Sequence, residues 1–233
     1  MRIFYTPEIK NQTTFTLSEN ESKHAIRVLR LKENDELTLV DGKGSFFDAT
    51  ISNGNQKKCE VQINATRKED SKKPKIHIAI APTKINDRTE WFIEKSTEIG
   101  ITEITPILCS NSERKKIKQE RFEKTAISAM KQSLKATLPI VNDLTDFNGL
   151  INCPFEGNKY IAHCYKNEQK HFKDSYQKGE NCLILIGPEG DFSELEVKTA
   201  IANGFTPVTF GKSRLRTETA GIVACTTFNL INE

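Results

Sequence analysis

The chain has 233 residues and a formal net charge of +3, a length that suits one or two domains. Its hydrophobic residues, 36% of the total, occur in periodic blocks, which excludes a chain that is disordered throughout. A charge balance this mild does not by itself indicate a nucleic-acid partner. The positions of the basic residues therefore carry more information than their number.

The sequence pattern disfavours three classes of protein: membrane-spanning, secreted and metal-binding proteins. No apolar run approaches the roughly 20 residues of a membrane-spanning helix, and the N-terminus lacks the pattern of a secretory signal. The six cysteines include no CxxC pair, and the four histidines are scattered, so no metal site is predicted. We expect a cytoplasmic protein with reduced cysteines, no metal and no membrane association.

The first part of the chain is predicted to be a small β-rich domain over residues 1–72. A helix is expected after Ser18, which forms a capping-box pattern with Glu21. Short strands rich in β-branched and aromatic residues surround it, separated by Asp-Gly and Asn-Gly turn signals. The predicted strands are 2–5, 36–41, 45–51 and 58–65. Several short strands with one helix favour a β-barrel.

A charged segment over 67–75 separates this region from a second predicted domain, 73–233. Here strands and helices alternate, as is typical of an α/β fold with a parallel sheet. Residues 183–186 are apolar on both faces, which indicates a central strand. The other predicted strands are 75–81, 103–108, 159–163 and 206–210. The predicted helices are 88–99, 113–134, one that begins at Ser193, and 217–230.

Three segments that follow predicted strands could carry chemistry. They contain His163-Cys164, Gly187-Pro-Glu-Gly190 and Gly211-Lys-Ser-Arg-Leu-Arg216. Ligands bind at the carboxyl ends of parallel strands. Ordinary turns between a strand and a helix have a similar composition, so that alternative stays open. The Gly-Lys-Ser string is not a phosphate-binding P-loop, because Thr206 stands where that motif requires glycine. A thiol nucleophile at Cys164 lacks an orienting group, which favours a structural role.

Basic residues form two predicted stripes. His24, Arg27 and Arg30 are three residues apart, so they would share a helix face, and Arg2 adds a nearby cation. The predicted helix over 113–134 carries Arg114 and six further lysines and arginines, and Lys135 follows it. Such stripes suit RNA phosphates, but solvated helix faces have the same composition.

Several motifs together resemble the RsmE family of the SPOUT superfamily, enzymes that methylate N3 of one uridine in small-subunit (16S) ribosomal RNA. These motifs are Ile186-Gly-Pro-Glu-Gly190, Phe210-Gly211, Leu215-Arg-Thr-Glu-Thr-Ala220, Arg27-Val-Leu-Arg-Leu31 and Gln132-Ser133. They extend over essentially the whole chain. The usual loop of the family is Gly-Pro-Glu-Gly-Gly, and Asp191 replaces its last glycine.

The resemblance implies a PUA-like β-barrel followed by a SPOUT α/β domain with a C-terminal trefoil knot. It also implies S-adenosyl-L-methionine as cofactor, bound among three loops, and a homodimer. The cofactor-binding residues carried over to this sequence are Ala162, His163, Cys164, Ile186, Gly187, Pro188, Glu189, Gly190, Phe210, Gly211, Leu215, Arg216, Thr217 and Thr219.

For the chemistry, Arg216 is expected to stabilise a uracil anion, with Glu189 or Glu218 as a candidate base. The expected partner is 16S ribosomal RNA or the small ribosomal subunit. The residues predicted to contact this RNA are Arg2, His24, Arg27, Arg30 and Arg114. The alternatives are a SPOUT methyltransferase acting on another ribosomal or transfer RNA position, a non-catalytic RNA-binding protein, and a nucleotide-binding protein.

Overall fold

The computed structural model describes residues 2–10, 12–69, 74–165 and 169–233. The chain divides into two compact units, residues 1–71 with 130–138, and residues 72–129 with 139–233. The predicted domain boundary between residues 72 and 73 lies outside the described residues, so the ranges 1–72 and 73–233 stay a prediction.

The first unit is built on a sheet with the order β1-β3-β4-β5-β2. Its strands within the described residues are β1 (Ile3–Tyr5), β2 (Thr14–Thr16), β3 (Glu36–Val40), β4 (Ser45–Asn53) and β5 (Glu60–Lys68). The inward faces of these strands bury Phe4, Leu39, Phe47 and Ile51 in one core cluster. This burial of apolar surface supplies the main driving force for folding the unit.

The helix of the first unit differs from its prediction. Helix α1 (Glu19–Lys23) begins at Ser18, whose hydroxyl accepts from the Glu21 amide at 3.3 Å, and a single π-helical turn over His24–Val28 follows. Arg30 lies beyond this turn with a φ of 55°. The prediction that His24, Arg27 and Arg30 share one helix face is therefore wrong for Arg30.

The second unit contains a parallel sheet with the order β11-β13-β10-β12-β6-β7-β8, and β9 also pairs with β7. Its strands within the described residues are β6 (Ile76–Ile80), β7 (Glu103–Leu108), β8 (Ile140–Val141), β9 (Thr145–Asp146), β10 (Asn158–Ala162), β11 (Lys170–His171), β12 (Cys182–Ile186) and β13 (Thr206–Thr209). Every residue of β12 is buried, which confirms the predicted central strand.

Helices accompany this sheet. They are α2 (Asn86–Ile99), α3 (Gln119–Gln132), α4 (Phe147–Ile151), α5 (Phe172–Ser175), α6 (Glu194–Ala202) and α7 (Thr217–Asn232). The last three residues of α3 belong to the first unit. The capping box predicted at Ser193 and Glu196 is present at the start of α6. A Cβ at Gly221 of α7 would lie 2.5 Å from Phe92 Cε2, so only glycine permits this approach of α7 to α2. The predicted trefoil knot stays a prediction.

The long basic helix predicted over 113–134 is wrong at its N-terminal end, because α3 begins at Gln119. The Arg114 guanidinium instead donates to the backbone carbonyls of Thr83 and Lys84. The Lys84 ammonium is paired with the Glu113 carboxylate at 2.8 Å. These contacts hold residues 113 and 114 outside a helix, so the predicted stripe is not continuous.

Candidate functional site

Three neighbouring strands position the candidate site. Strands β13, β10 and β12 are adjacent and parallel, so the loops that follow them meet at one edge of the sheet. We call them the first loop (residues 162–165, after β10), the second loop (186–191, after β12) and the third loop (209–216, after β13). Together they line one cavity of about 620 Å³, within the usual size of small-molecule sites.

Most of the residues predicted for a cofactor lie on this cavity. The members that line it are Ala162, His163, Cys164, Ile186, Gly187, Pro188, Glu189, Phe210, Gly211, Leu215, Arg216 and Thr217. Gly190 and Thr219, from the same predicted set, are not among the lining residues. The lining residues outside the predicted set are Tyr165, Gln169, Asp191, Val208, Thr209, Lys212, Ser213, Arg214 and Ala220. Of these, Lys212, Ser213 and Arg214 lie in the segment 211–216 that the sequence indicated. Most of the lining residues outside the predicted set are sequence neighbours of predicted residues, and that proximity is the signal that could have found them.

The second loop is held at both ends. The Thr217 hydroxyl donates to the Gly187 carbonyl at 3.0 Å, and Thr217 is only 5% exposed. A Cβ at Gly187 would lie 3.0 Å from the Phe192 ring, which favours glycine there. At the other end, the Asn111 side-chain amide donates to the Asp191 carbonyl at 3.0 Å. The backbone of this loop is therefore fixed by contacts from outside it.

The two candidate bases occupy different places. Glu189 lines the cavity, and its Oε1 accepts from the Lys84 amide at 2.9 Å. Glu218 does not line the cavity. It is 6% exposed in the first turn of α7, with its Oε1 3.9 Å from Arg88 Nε. Of the two carboxylates, only Glu189 is therefore placed at this cavity.

In the first loop, the His163 ring is packed against the side-chain amide of Gln169. With the amide oxygen turned toward the ring, Gln169 accepts from His163 Nε2 at 2.8 Å, while its nitrogen donates to the Val208 carbonyl at 3.2 Å. The Tyr165 amide donates to His163 Nδ1 at 3.3 Å, which assigns the proton to Nε2. Burial lowers the pKa of His163, and the charge of Asp191 opposes this in part. The geometry favours a neutral imidazole.

The Cys164 thiol is unsuited to nucleophilic chemistry. Burial raises its pKa above the ordinary value, the negative charge of Asp191 raises it further, and Arg214 opposes both. A raised pKa keeps the thiol protonated, whereas the thiolate is the reactive form. The structural role favoured by the sequence is thus consistent with the electrostatics of the loop.

The third loop brings cations to the cavity. Lys212, Arg214 and Arg216 all line it, and Arg214 Nη2 lies 3.5 Å from the Glu189 carbonyl. Phe210 packs edge-on against the buried Phe172 at a ring distance of 5.9 Å. The loop therefore combines an apolar anchor with positive charges, an arrangement that suits an anionic group approaching the cavity.

The RNA-contact residues predicted for the first unit lie partly at its surface. Arg2, Arg27 and Arg30 are exposed, whereas His24 is half-buried with its ring 5.9 Å from the Phe4 ring. Among the described residues, no cluster of three or more potential ligands could hold a metal ion. In the same part of the chain, no helix has the length and apolarity needed to cross a bilayer.

Comparison with known proteins identifies the family. The protein-family model described as "RNA methyltransferase domain" matches residues 70–229, and the family model described as "RNA methyltransferase PUA domain" matches residues 17–64. The fold and its three-loop cavity are accordingly those of an RNA methyltransferase with a PUA-like N-terminal domain. The chain belongs to this family, in the RsmE branch that its sequence predicted.

The similar proteins share nearly the full length of the chain. Ribosomal RNA small subunit methyltransferase E of Bacillus subtilis is 28% identical over 93% of this chain and 90% of its own length. The crystal structure of a probable rRNA-methyltransferase from Porphyromonas gingivalis is 43% identical, with a TM-score of 0.92 over 100% of this chain and 98% of that one. The Neisseria gonorrhoeae ribosomal RNA small subunit methyltransferase E bound to S-adenosyl methionine is 29% identical, with a TM-score of 0.87 over 100% of this chain and 98% of that one.

Proposed function

We propose that this protein transfers a methyl group from S-adenosyl-L-methionine to N3 of a uridine in 16S ribosomal RNA. The observation that carries the proposal is the convergence of three loops on one cavity of about 620 Å³. Two full-length relatives, from Bacillus subtilis and Neisseria gonorrhoeae, bear the name of a small-subunit ribosomal RNA methyltransferase, and the second holds S-adenosyl methionine.

The residues present fit this cofactor. Gly187 and Gly211 place backbone without side chains at the cavity wall, and Leu215 offers an apolar face beside them. Glu189 and Asp191 add negative charge, which favours a cationic sulfonium. The residues proposed to hold it are those of the predicted set that line the cavity. When bound, S-adenosyl-L-methionine supplies an electrophilic methyl group.

The protein's own part in the reaction is positioning and charge stabilisation. Methyl transfer is an in-line displacement, so orientation of the two reactants provides much of the rate. The uracil N3 proton must leave, and we assign Arg216 to stabilising the negative charge that then develops on the base. We propose Glu189 as the base, because it lines the cavity and Glu218 does not. N3 is on the Watson–Crick edge, so the uridine must be unpaired when it enters.

We further propose that Arg2, His24, Arg27 and Arg30 contact RNA phosphates. Arg114 is a weaker candidate, since its guanidinium donates to two backbone carbonyls. The protein is also proposed to act in the cytoplasm as a homodimer. These assignments follow from the family resemblance and from the exposure of the arginines in the first unit.

The decisive test is mass spectrometric mapping of methylated nucleosides in small-subunit RNA from cells with and without the gene. Loss of one N3-methyluridine, restored by the wild-type gene and not by an Arg216→Ala variant, is the expected result. An Arg216→Lys variant is the matched control, because it keeps the positive charge. Loss of a methyl group from a different nucleoside, or from transfer RNA, would overturn the assignment of N3.

A further inference from the structure

Asp191, the last residue of the second loop, has a left-handed backbone. Its φ is 66°, in the left-handed region that glycine adopts freely and that other residues adopt at a cost. Glycine is the usual residue here in the family that the sequence resembles. A residue that replaces glycine at such a φ needs side-chain contacts that compensate for the strain.

The carboxylate of Asp191 makes such contacts. Oδ2 accepts from the Cys164 amide in the first loop at 2.8 Å, and Oδ1 accepts from the Phe192 amide at 2.8 Å. The backbone of Asp191 is fixed independently, because its amide donates to the Pro188 carbonyl at 2.9 Å and its carbonyl accepts from Asn111. The anchored carboxylate therefore bridges the first loop to the second.

The bridge lies at the cavity itself. Asp191, Cys164 and Pro188 all line it, so the bridge sets the separation between two of its walls. A charge-assisted hydrogen bond from a backbone amide to a carboxylate is among the stronger hydrogen bonds in proteins. Without it, the amide of Cys164 would have to find another acceptor or open toward solvent.

We propose that Asp191 is a positioning residue that clamps the first loop to the second and so fixes the shape of the cofactor cavity. The inference depends on the proposed function, because it assigns the clamped cavity to S-adenosyl-L-methionine. Glycine at this position would relax the backbone and release the first loop. Asparagine would tolerate the same φ and keep an oxygen acceptor for the Cys164 amide.

Two variants of the full chain separate the clamp from a general effect on folding. We expect Asp191→Gly to weaken S-adenosyl-L-methionine binding about tenfold by calorimetry, with a melting temperature close to that of the wild type, because relief of the backbone strain offsets the lost side-chain contacts. Asp191→Asn should recover most of the affinity. Hydrogen exchange of the Cys164 amide, followed by NMR without cofactor, should be faster in the glycine variant and close to wild type in the asparagine variant.

Each possible result bears on the clamp. The proposal is overturned if the Cys164 amide of the Asp191→Gly variant exchanges at the wild-type rate. It is also overturned if this amide exchanges faster while the affinity for the cofactor is unchanged. Equal losses of melting temperature in both variants would assign Asp191 a role in stability alone, which also overturns the proposal. Absence of S-adenosyl-L-methionine binding by the wild-type protein would instead refute the proposed function, while the exchange measurement would still test the bridge.

Discussion

The Thr217 hydroxyl donates a 3.0 Å hydrogen bond to the Gly187 carbonyl, joining the first turn of α7 to the second loop. Both residues are buried, so the carbonyl has little access to a replacement partner in bulk water. This bond fixes one end of the second loop, as the Asn111 amide fixes the other. Because the second loop is already ordered, cofactor binding does not have to include the entropic cost of ordering this loop.

Replacing Thr217 by valine should therefore weaken both stability and cofactor binding. Valine keeps the shape but leaves the Gly187 carbonyl without its donor, which costs about 1–3 kcal/mol. Urea denaturation should show this loss, and calorimetry should show weaker S-adenosyl-L-methionine binding. Thr217→Ser is the control, because it retains the hydroxyl. A valine variant with wild-type stability would contradict the role assigned to this bond.

Stability should fall as the pH drops below about 6.5, the ordinary pKa of histidine. Burial lowers the pKa of His163 in the folded state. The unfolded chain thus takes up a proton at a higher pH than the folded chain does, and acidification favours unfolding until the pH passes below the folded-state pKa. His77, buried beside Thr105, has a pKa lowered by the same cause.

The measurement is the free energy of unfolding in urea at pH 7 and at pH 5.5. His163→Gln cannot titrate, so its stability should fall less over this interval than that of the wild-type protein. His77→Gln should show a similar flattening, and the double variant should be flatter still. The slope with pH is the quantity to compare, because each substitution also changes packing. Equal slopes in all four proteins would refute the prediction.

Gly221→Ala should destabilise the second unit, although alanine is the better helix former. The helix propensity gain is about 1 kcal/mol. The new Cβ, however, would lie 2.5 Å from Cε2 of the fully buried Phe92, and overpacking a core costs about 1–3 kcal/mol. Thermal denaturation should show a lower melting temperature. Gly54→Ala is the control, since its Cβ would make only ordinary contacts at 3.8 Å or more. A stabilised Gly221→Ala variant would show that Phe92 can move aside.

Arg27→Ala and Arg30→Asn should weaken RNA binding while S-adenosyl-L-methionine binding survives. Both arginines are exposed in the first unit, and asparagine is chosen because residue 30 has a φ of 55°. Each lost phosphate contact should reduce the salt dependence of RNA affinity, lowering the slope of log affinity against log salt by about 0.7–0.9. The measurement is RNA binding at several salt concentrations.

Lys198→Ala is the matched control for the arginine variants. It removes one positive charge from an exposed side chain paired with Glu194 on α6. Its salt slope should equal that of the wild-type protein. If Lys198→Ala changed the slope as much as the arginine variants did, the contribution of Arg27 and Arg30 would be that of net charge alone.

The sequence predicted the parts of the fold that local patterns encode. Strand β12 follows from its continuous apolar run, and α6 follows from the capping box of Ser193 and Glu196. Because strands β10, β12 and β13 are adjacent, the loops that carry most of the predicted cavity residues lie together. The sequence does not predict the short strands β2, β8, β9 and β11, because a run of two or three residues gives a weak periodic signal.

Other features depend on contacts between segments distant in sequence. The start of α3 was placed too early, since nothing local reveals that Arg114 binds the carbonyls of Thr83 and Lys84. In the sequence, Asp191 is only a departure from a motif. Its left-handed backbone and its bond to Cys164 depend on the first and second loops lying side by side, which no local pattern encodes.

The central claim is that the three loops enclose the methyl donor, and a crystal structure of the protein grown with S-adenosyl-L-methionine tests it most directly. We predict electron density for the donor between the first, second and third loops, with the methyl group facing Arg216. Density for the donor at any other place on the protein, with this cavity filled only by solvent, would contradict the claim.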